Sequence, residues 1–149
     1  MNKDVILAIS GMQLPSGMDP NQEGEDAQTV EIMTPASYYY KNGKHYILYQ
    51  EVDEDQRGVT NNKIKVSDKS LELIKSGLVN SHMIFDTTRK STAYYDTPFG
   101  RLVMGTIANR IDMDVSEDKI HIDMEYALDI NYNPVADCSL SIDLLPRLV

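Results

Sequence analysis

The amino-acid sequence predicts an all-β protein whose consecutive antiparallel strands form a meandering barrel or sandwich. Its apolar residues recur at every second position, the period of a strand with one buried face, rather than at helical spacing. The clearest case is a segment in which alternate positions are apolar: Ile120, Ile122, Met124, Tyr126, Leu128 and Ile130. Short turn-forming clusters separate such segments along the chain, and this spacing is typical of hairpin-connected strands.

Strands are predicted where apolar alternation lies between turn signals. They cover residues 5–14, 29–41, 44–52, 61–67, 83–87, 92–96, 101–108, 111–115, 120–130 and 138–145. Asn42-Gly43 lies between two tyrosine-rich strands and predicts a two-residue hairpin, because both residues tolerate positive φ. The polar segments 15–26 and 51–58 predict solvated loops, and residues 132–135 predict a turn before the last strand.

A second hairpin is predicted around the polar connection 116–119. Val115 faces Ile120 across this connection, and the register is expected to continue without interruption along both strands. Its far end then pairs Ile107 with Leu128, so that the apolar residues of both strands share one side. A slip of one residue would move one set to the other side, which is why this register is strongly specified.

Residues 71–76, from Leu71 to Ser76, fit two structures. Ser67 could cap a short helix that ends before Gly77, with apolar residues three positions apart on one face. The same segment also has leucines at alternate positions around a glutamate, as a strand would. The local pattern leaves both structures open.

Composition predicts one soluble domain that spans residues 1–149. The chain is 42% hydrophobic and 25% charged, and it is long enough to bury a core without disulfides or metals. Its 14 Lys and Arg against 23 Asp and Glu give a net charge of −9, which disfavours nucleic acid and anionic membranes as partners. A membrane span and a secretory signal are not expected, and one cysteine forms no internal disulfide. Cytoplasm is therefore the expected location.

The polar residues predict neither a catalytic site nor a metal site. One side of the 111–130 hairpin gathers carboxylates around an imidazole: Asp112, Asp114, His121, Asp123 and Glu125. Such donors can bind a divalent cation, but nothing in the strands fixes them in a converging arrangement. We interpret them as a solvated face on which Asp114 pairs with His121 and Arg110 with Glu125. Cys138 alternates with apolar residues and is expected to be buried and unreactive. No motif for a cofactor occurs.

Several motifs, taken in order, resemble one known family. They are residues 9–13 (ISGMQ), 39–51 (YYKNGKHYILYQE), 74–77 (IKSG), 83–85 (MIF), 95–100 (YDTPFG) and the closing hairpin from residue 120. The chain resembles the YwiB-like family of small bacterial β-barrel proteins with a calycin-like, lipocalin-type fold, and the resemblance covers nearly the whole chain. It departs at residues 34–37, where the family more often has a glycine after the threonine, and this departure concerns the bend of the second strand.

The resemblance implies an up-and-down antiparallel barrel of about eight to ten strands, and it favours a strand at residues 71–76. It implies no catalytic residues, because the family has no established activity. A lipocalin-type barrel rich in tyrosine and methionine suggests a non-enzymatic protein that binds a small apolar or amphipathic ligand in its lumen. The candidate lining residues are Tyr39, Tyr46, Tyr49, Phe85, Tyr95, Met124 and Tyr126.

Two alternatives remain open. Tyrosine favours strands and packs against cross-strand neighbours, so the side chains could simply fill the barrel. The protein would then be a protein–protein interaction module or a homodimer that uses a strand edge. An enzyme whose acid and base come from distant strands is the other alternative, and its sign would be a strongly perturbed carboxylate or histidine in a cleft.

Overall fold

The computed structural model describes residues 3–15, 28–52, 58–77, 81–98, 100–117 and 119–146. The strands in these ranges are β1 Lys3–Pro15, β2 Gln28–Lys41, β3 Lys44–Val52, β4 Val59–Val66, β5 Ser70–Gly77, β6 Ser81–Asp86, β7 Ser91–Thr97, β8 Gly100–Val115, β9 Ile120–Ile130 and β10 Asn133–Pro146. The predicted all-β class is confirmed. In this part of the chain, no helix is long and apolar enough to cross a membrane.

The ten described strands form one antiparallel sheet in the order β6-β5-β4-β3-β2-β1-β10-β9-β8-β7. Pairing of β1 with β10 joins the two ends of the meander. The sheet curls until β6 contacts β7 and β8, where the Thr106 hydroxyl donates a 2.7 Å hydrogen bond to the backbone carbonyl of Ile84. The strands therefore enclose a nearly closed barrel, as predicted. Its classification as calycin-like stays a prediction.

Apolar side chains at alternate strand positions fill the middle of the barrel. The largest fully buried ones are Leu7, Ile47, Val66, Leu71, Ile122, Met124 and Ile142. Their register neighbours share the same inner face, because residues directly opposite in an antiparallel pair point to one side. Each such side chain stabilises the fold by about 1.5–3 kcal/mol on burial. The middle of the barrel is thus a packed core.

The predicted register of the β8–β9 hairpin is correct near the turn and wrong at its far end. Val115 faces Ile120 as expected, but the register shifts between Ala108 and Arg110. Thr106, instead of Ile107, therefore lies opposite Leu128. The cause is a β-bulge at residue 109, which is an exposed asparagine. Without the bulge, the alternation of inward and outward side chains would have placed the Asn109 amide in the core.

The segment that fitted both a helix and a strand is strand β5. Leu71 is only 1% exposed and lies between Val66 of β4 and Phe85 of β6 in the sheet. Phe85 is distant in sequence, and the apolar surface that these two neighbours bury on Leu71 outweighs a weak local preference for helix.

The turns follow their local chemistry where the structure describes them. Asn42 and Gly43 have φ values of 53° and 77° and connect β2 to β3, as predicted. The β9–β10 turn uses Asn131 and Tyr132, also at positive φ, so it begins one residue before the predicted position. The predicted loops 15–26 and 51–58 lie mainly outside the described residues.

Candidate functional site

The sheet opens between β2 and β3. These strands pair only from Ser37–Leu48 to Lys41–Lys44, although β2 continues along β1 as far as Gln28, and β3 continues along β4 as far as Val52. Pro35 lies two residues beyond the last pair and has no N–H with which to extend the ladder. We call this opening, between residues 34–37 of β2 and residues 48–52 of β3, the β2–β3 gap.

The β2–β3 gap contains a cavity of about 580 Å³, a volume typical of small-molecule sites. Residues 34–37 and 48–50 line its two sides, together with Val52, Asn61 and Asn62, and Asp4 of β1 lies at its rim. The lining includes both buried and exposed residues of these strands, at the place where the ladder is interrupted.

Asn62 brings an unsatisfied hydrogen-bond acceptor to this cavity. Its side chain is 2% exposed and lies in phase with Ile64 and Val66 on the inner face of β4. Its Nδ2 donates a weak 3.4 Å hydrogen bond to the Thr60 carbonyl, while its buried Oδ1 has no partner among the described residues. Rotating the amide would place two oxygens against each other, so this orientation is the favourable one. A buried acceptor without a donor costs about 1–3 kcal/mol.

Tyr49 lies directly opposite Asn62 in the β3–β4 register and also lines the cavity. The side chain is 6% exposed, and burial together with the neighbouring Glu51 carboxylate raises its pKa to about 12. The phenol is therefore neutral at physiological pH and can donate or accept a hydrogen bond.

An ion pair lies next to Asn62 on the inner face. Lys75 of β5 is opposite Asn62 in the register, and its ammonium contacts the Glu51 carboxylate at 2.9 Å. Both side chains are partly exposed, so the pair contributes modestly to stability. Near Asn62, its effect is that Glu51 neutralises the Lys75 ammonium, the cation closest to Asn62 in the register.

The structure places four of the predicted lining residues on the inner face, but only Tyr49 at the gap. Phe85 and Tyr126 pack ring against ring with centroids 4.6 Å apart, and Met124 is 1% exposed. Burial raises the pKa of Tyr126, whose hydroxyl lies beside Cys138. These three side chains belong to the packed core.

The expectation that Tyr39 and Tyr46 line the lumen is wrong. They face each other on the outside of the barrel, stacked with centroids 4.6 Å apart, while their neighbours Tyr38 and Ile47 point inward. Three consecutive tyrosines in β2 satisfy either alternation, so the pattern did not show which face is buried. Tyr95 pairs with Leu102 in the β7–β8 ladder, and its side chain lies outside the described part.

The charged outer face of β9 and β10 forms a hydrogen-bonded chain. His121 contacts Asp143 at 2.6 Å and Asp123 at 2.8 Å, and the Ser141 hydroxyl donates to Asp123 at 2.7 Å. The two carboxylates, Asp143 first, raise the pKa of His121. The predicted Arg110–Glu125 pair is present at 3.1 Å. Asp114 lies opposite His121 in the register, but the carboxylates bonded to the ring are Asp143 and Asp123.

These hydrogen-bonded side chains have the arrangement of a charged surface. The serine contacts a carboxylate rather than the imidazole, so the histidine cannot activate it as a nucleophile. Among the described residues, no group of His, Cys, Asp and Glu is arranged to hold a metal ion. Cys138 is buried, and burial raises the pKa of its thiol, which makes it a poor nucleophile.

Fold and cavity define a class of protein: a nearly closed antiparallel β-barrel with an opening in its wall. The chain belongs to the family described as Domain of unknown function (DUF1934), whose model matches residues 17–142. It is 31% identical over 112 residues to the uncharacterised β-barrel protein YwiB of Bacillus subtilis (strain 168), which covers 75% of this chain and 74% of YwiB. The resemblance to the YwiB-like family is thereby confirmed.

The barrel also matches a solved structure. The crystal structure of the ywiB protein from Bacillus subtilis superposes with a TM-score of 0.74 and 23% sequence identity, covering 99% of this chain and 94% of that chain. At this identity the match supports the fold.

Proposed function

We propose that this protein is a non-enzymatic binding protein that holds a small amphipathic molecule in the β2–β3 gap. The observation that carries the proposal is Asn62: this buried residue belongs to the lining of a cavity of about 580 Å³, and its Oδ1 has no described hydrogen-bond partner. An unsatisfied buried acceptor is unfavourable in the unbound protein, and a ligand that donates a hydrogen bond removes this cost.

An amphipathic ligand suits the lining better than a purely apolar one. Pro35, Ala36, Leu48 and Val52 offer apolar contact, whereas the other seven lining residues, Asn62 and Tyr49 among them, offer polar atoms. Apolar surface can hold the apolar part of a ligand, and polar groups in the same lining can fix its orientation. From the sequence, a ligand was expected in the barrel lumen. Because a packed core fills the lumen, we propose the β2–β3 gap as the site instead.

Binding rather than catalysis is proposed because the described lining contains no nucleophile hydrogen-bonded to a base. We place the protein in the cytoplasm as part of the same proposal. Its single cysteine, Cys138, is buried and the chain has no disulfide framework of the kind that secreted small domains often use.

A fluorescent probe tests the proposal. N-phenyl-1-naphthylamine is neutral, carries one N–H donor and becomes bright in apolar surroundings. We expect saturable one-to-one binding to the wild type. Ser37→Phe places a ring at the cavity lining and should weaken binding at least tenfold, whereas Ser10→Phe, on the exposed outer face of β1, should leave it unchanged. Absence of saturable binding, or equal binding by Ser37→Phe, would overturn the proposal.

A homodimer is the second candidate, favoured by an apolar strip outside the barrel beside the gap. Ile6 faces Pro35 and Leu145, and Ala8 faces Met33, whose side chain is 75% exposed. An apolar strip on one protomer can pack against the same strip of a second copy across a two-fold axis, so the occupant would be a second copy. Sedimentation equilibrium distinguishes the outcomes: a dimer that Met33→Glu dissociates supports this candidate, and a monomer at all concentrations excludes it.

A further inference from the structure

We propose that the β2–β3 gap selects ligands whose head group is an uncharged or cationic hydrogen-bond donor, a primary amide or an amine, and rejects carboxylates and other anions. This inference rests on the proposed binding function and names the chemical class of the ligand. It follows from three features of the lining: the unpaired atom, the charge at the rim and the neutral phenol.

The unpaired atom requires a donor. The Asn62 amide is oriented by its bond to the Thr60 carbonyl, so the amide atom left without a described partner is the oxygen. An N–H or O–H group satisfies this oxygen. A carboxylate has acceptor atoms only, so it would leave Asn62 unsatisfied and add oxygen–oxygen repulsion in a buried place.

The charge at the rim is negative. Asp4 is the one ionisable side chain, apart from the Tyr49 phenol, among the described residues that line the cavity. The cation nearest to Asn62 in the register, Lys75, is engaged by Glu51 at 2.9 Å. Among the described lining residues a bound anion would therefore meet a carboxylate and no cation, whereas an amine would meet a complementary charge.

The neutral phenol makes a primary amide especially suitable. Tyr49 is opposite Asn62 in the register, and burial raises its pKa to about 12, so that its O–H remains available as a donor. A primary amide can donate N–H to Asn62 Oδ1 and accept from the Tyr49 hydroxyl with its carbonyl. A carboxylate could use only the second of these contacts.

Three ligands with the same eight-carbon chain length test the selectivity. Octylamine, octanamide and octanoate are each used at pH 7 and constant ionic strength to displace N-phenyl-1-naphthylamine from the full-length chain. We expect octylamine and octanamide to displace the probe with inhibition constants at least tenfold lower than that of octanoate. Octanoate competing as well as octanamide would overturn the selectivity while probe binding still supports a binding site. A probe that does not bind at all would overturn both proposals.

Two variants assign the selectivity to named side chains. Asn62→Leu should reduce the octanamide preference over octanoate to threefold or less, because no acceptor is left to discriminate. Asp4→Asn should reduce the octylamine preference over octanoate about threefold, since exposed charges interact weakly. Asp137→Asn, an exposed position on β10 outside the lining, makes the same change in net charge and should leave every ratio unchanged. Ratios that do not respond to Asn62→Leu would overturn the inference.

Discussion

Replacing Asn62 with leucine should stabilise the ligand-free protein although it removes a polar group from a buried strand. The Asn62 Oδ1 has no described hydrogen-bond donor, and its side chain is 2% exposed. Leucine has the same number of side-chain heavy atoms as asparagine, branched at the same carbon, and carries no polar atom. In most buried sites such a change is destabilising, so an increase in stability would be a specific sign of a site built for a ligand.

The magnitude follows from two opposing contributions. Removing an unsatisfied buried acceptor recovers about 1–3 kcal/mol. Losing the hydrogen bond from Nδ2 to the Thr60 carbonyl, which is long at 3.4 Å, costs about 0.5–1 kcal/mol. The balance is a gain of about 0–2.5 kcal/mol, which for a chain of this size corresponds to an increase in Tm of at most roughly 10 °C.

Urea unfolding of the wild type and of Asn62→Leu measures this gain. The midpoint should rise while the m value stays constant, because the compactness of the two end states is unchanged. Asn61→Leu is the matched control: Asn61 accepts a 3.0 Å hydrogen bond from exposed Gln50, and its loss should change stability by no more than about 0.5 kcal/mol. A loss of 1 kcal/mol or more in Asn62→Leu would show that Oδ1 is satisfied without a ligand and would refute the reasoning.

Two further predictions concern the barrel itself. Gly77 has φ +133°, and a Cβ there would clash with the Val59 carbonyl oxygen. Gly100 has φ +124°, but no described atom lies within 4 Å of a Cβ at that position, so Gly77→Ala should cost about 1–3 kcal/mol more than Gly100→Ala. Equal losses in urea unfolding would contradict this. The raised pKa of His121 favours its protonated form in the folded state, so its stabilisation is complete below about pH 6.5 and is lost as pH rises through the folded-state value. An NMR titration should give a value above 6.5 that falls in Asp143→Asn, and an unchanged value would contradict the contact.

Period-two alternation predicted the strands and most of the β8–β9 register because each strand has one buried face. It missed the bulge at residue 109 because the apolar alternation is intact both before and after the one extra residue, so nothing in the pattern marks where that residue lies. Strand β5 was ambiguous for a related reason. Its local sequence supports two structures, and contacts of Leu71 with Val66 and Phe85, which the topology brings together, determine the outcome.

The candidate site was harder to predict, since it depends on where a ladder ends rather than on a motif. Tyr49 was identified, but Tyr39 and Tyr46 were assigned to the wrong face, because consecutive tyrosines fit either alternation. Two signals were present in the sequence. Pro35 limits pairing on one side of its strand, and Asn62 is in phase with apolar residues of β4, which marks a polar group that points inward.

The most direct test of a ligand in the β2–β3 gap is an NMR titration of the isotope-labelled protein with octanamide. We expect saturable shifts that are largest for the Asn62 side-chain amide and for the backbone of Tyr49 and Ser37, and that disappear in Asn62→Leu. Absence of saturable shifts, shifts centred on the opposite side of the barrel, or equal shifts in the variant would contradict the proposed site.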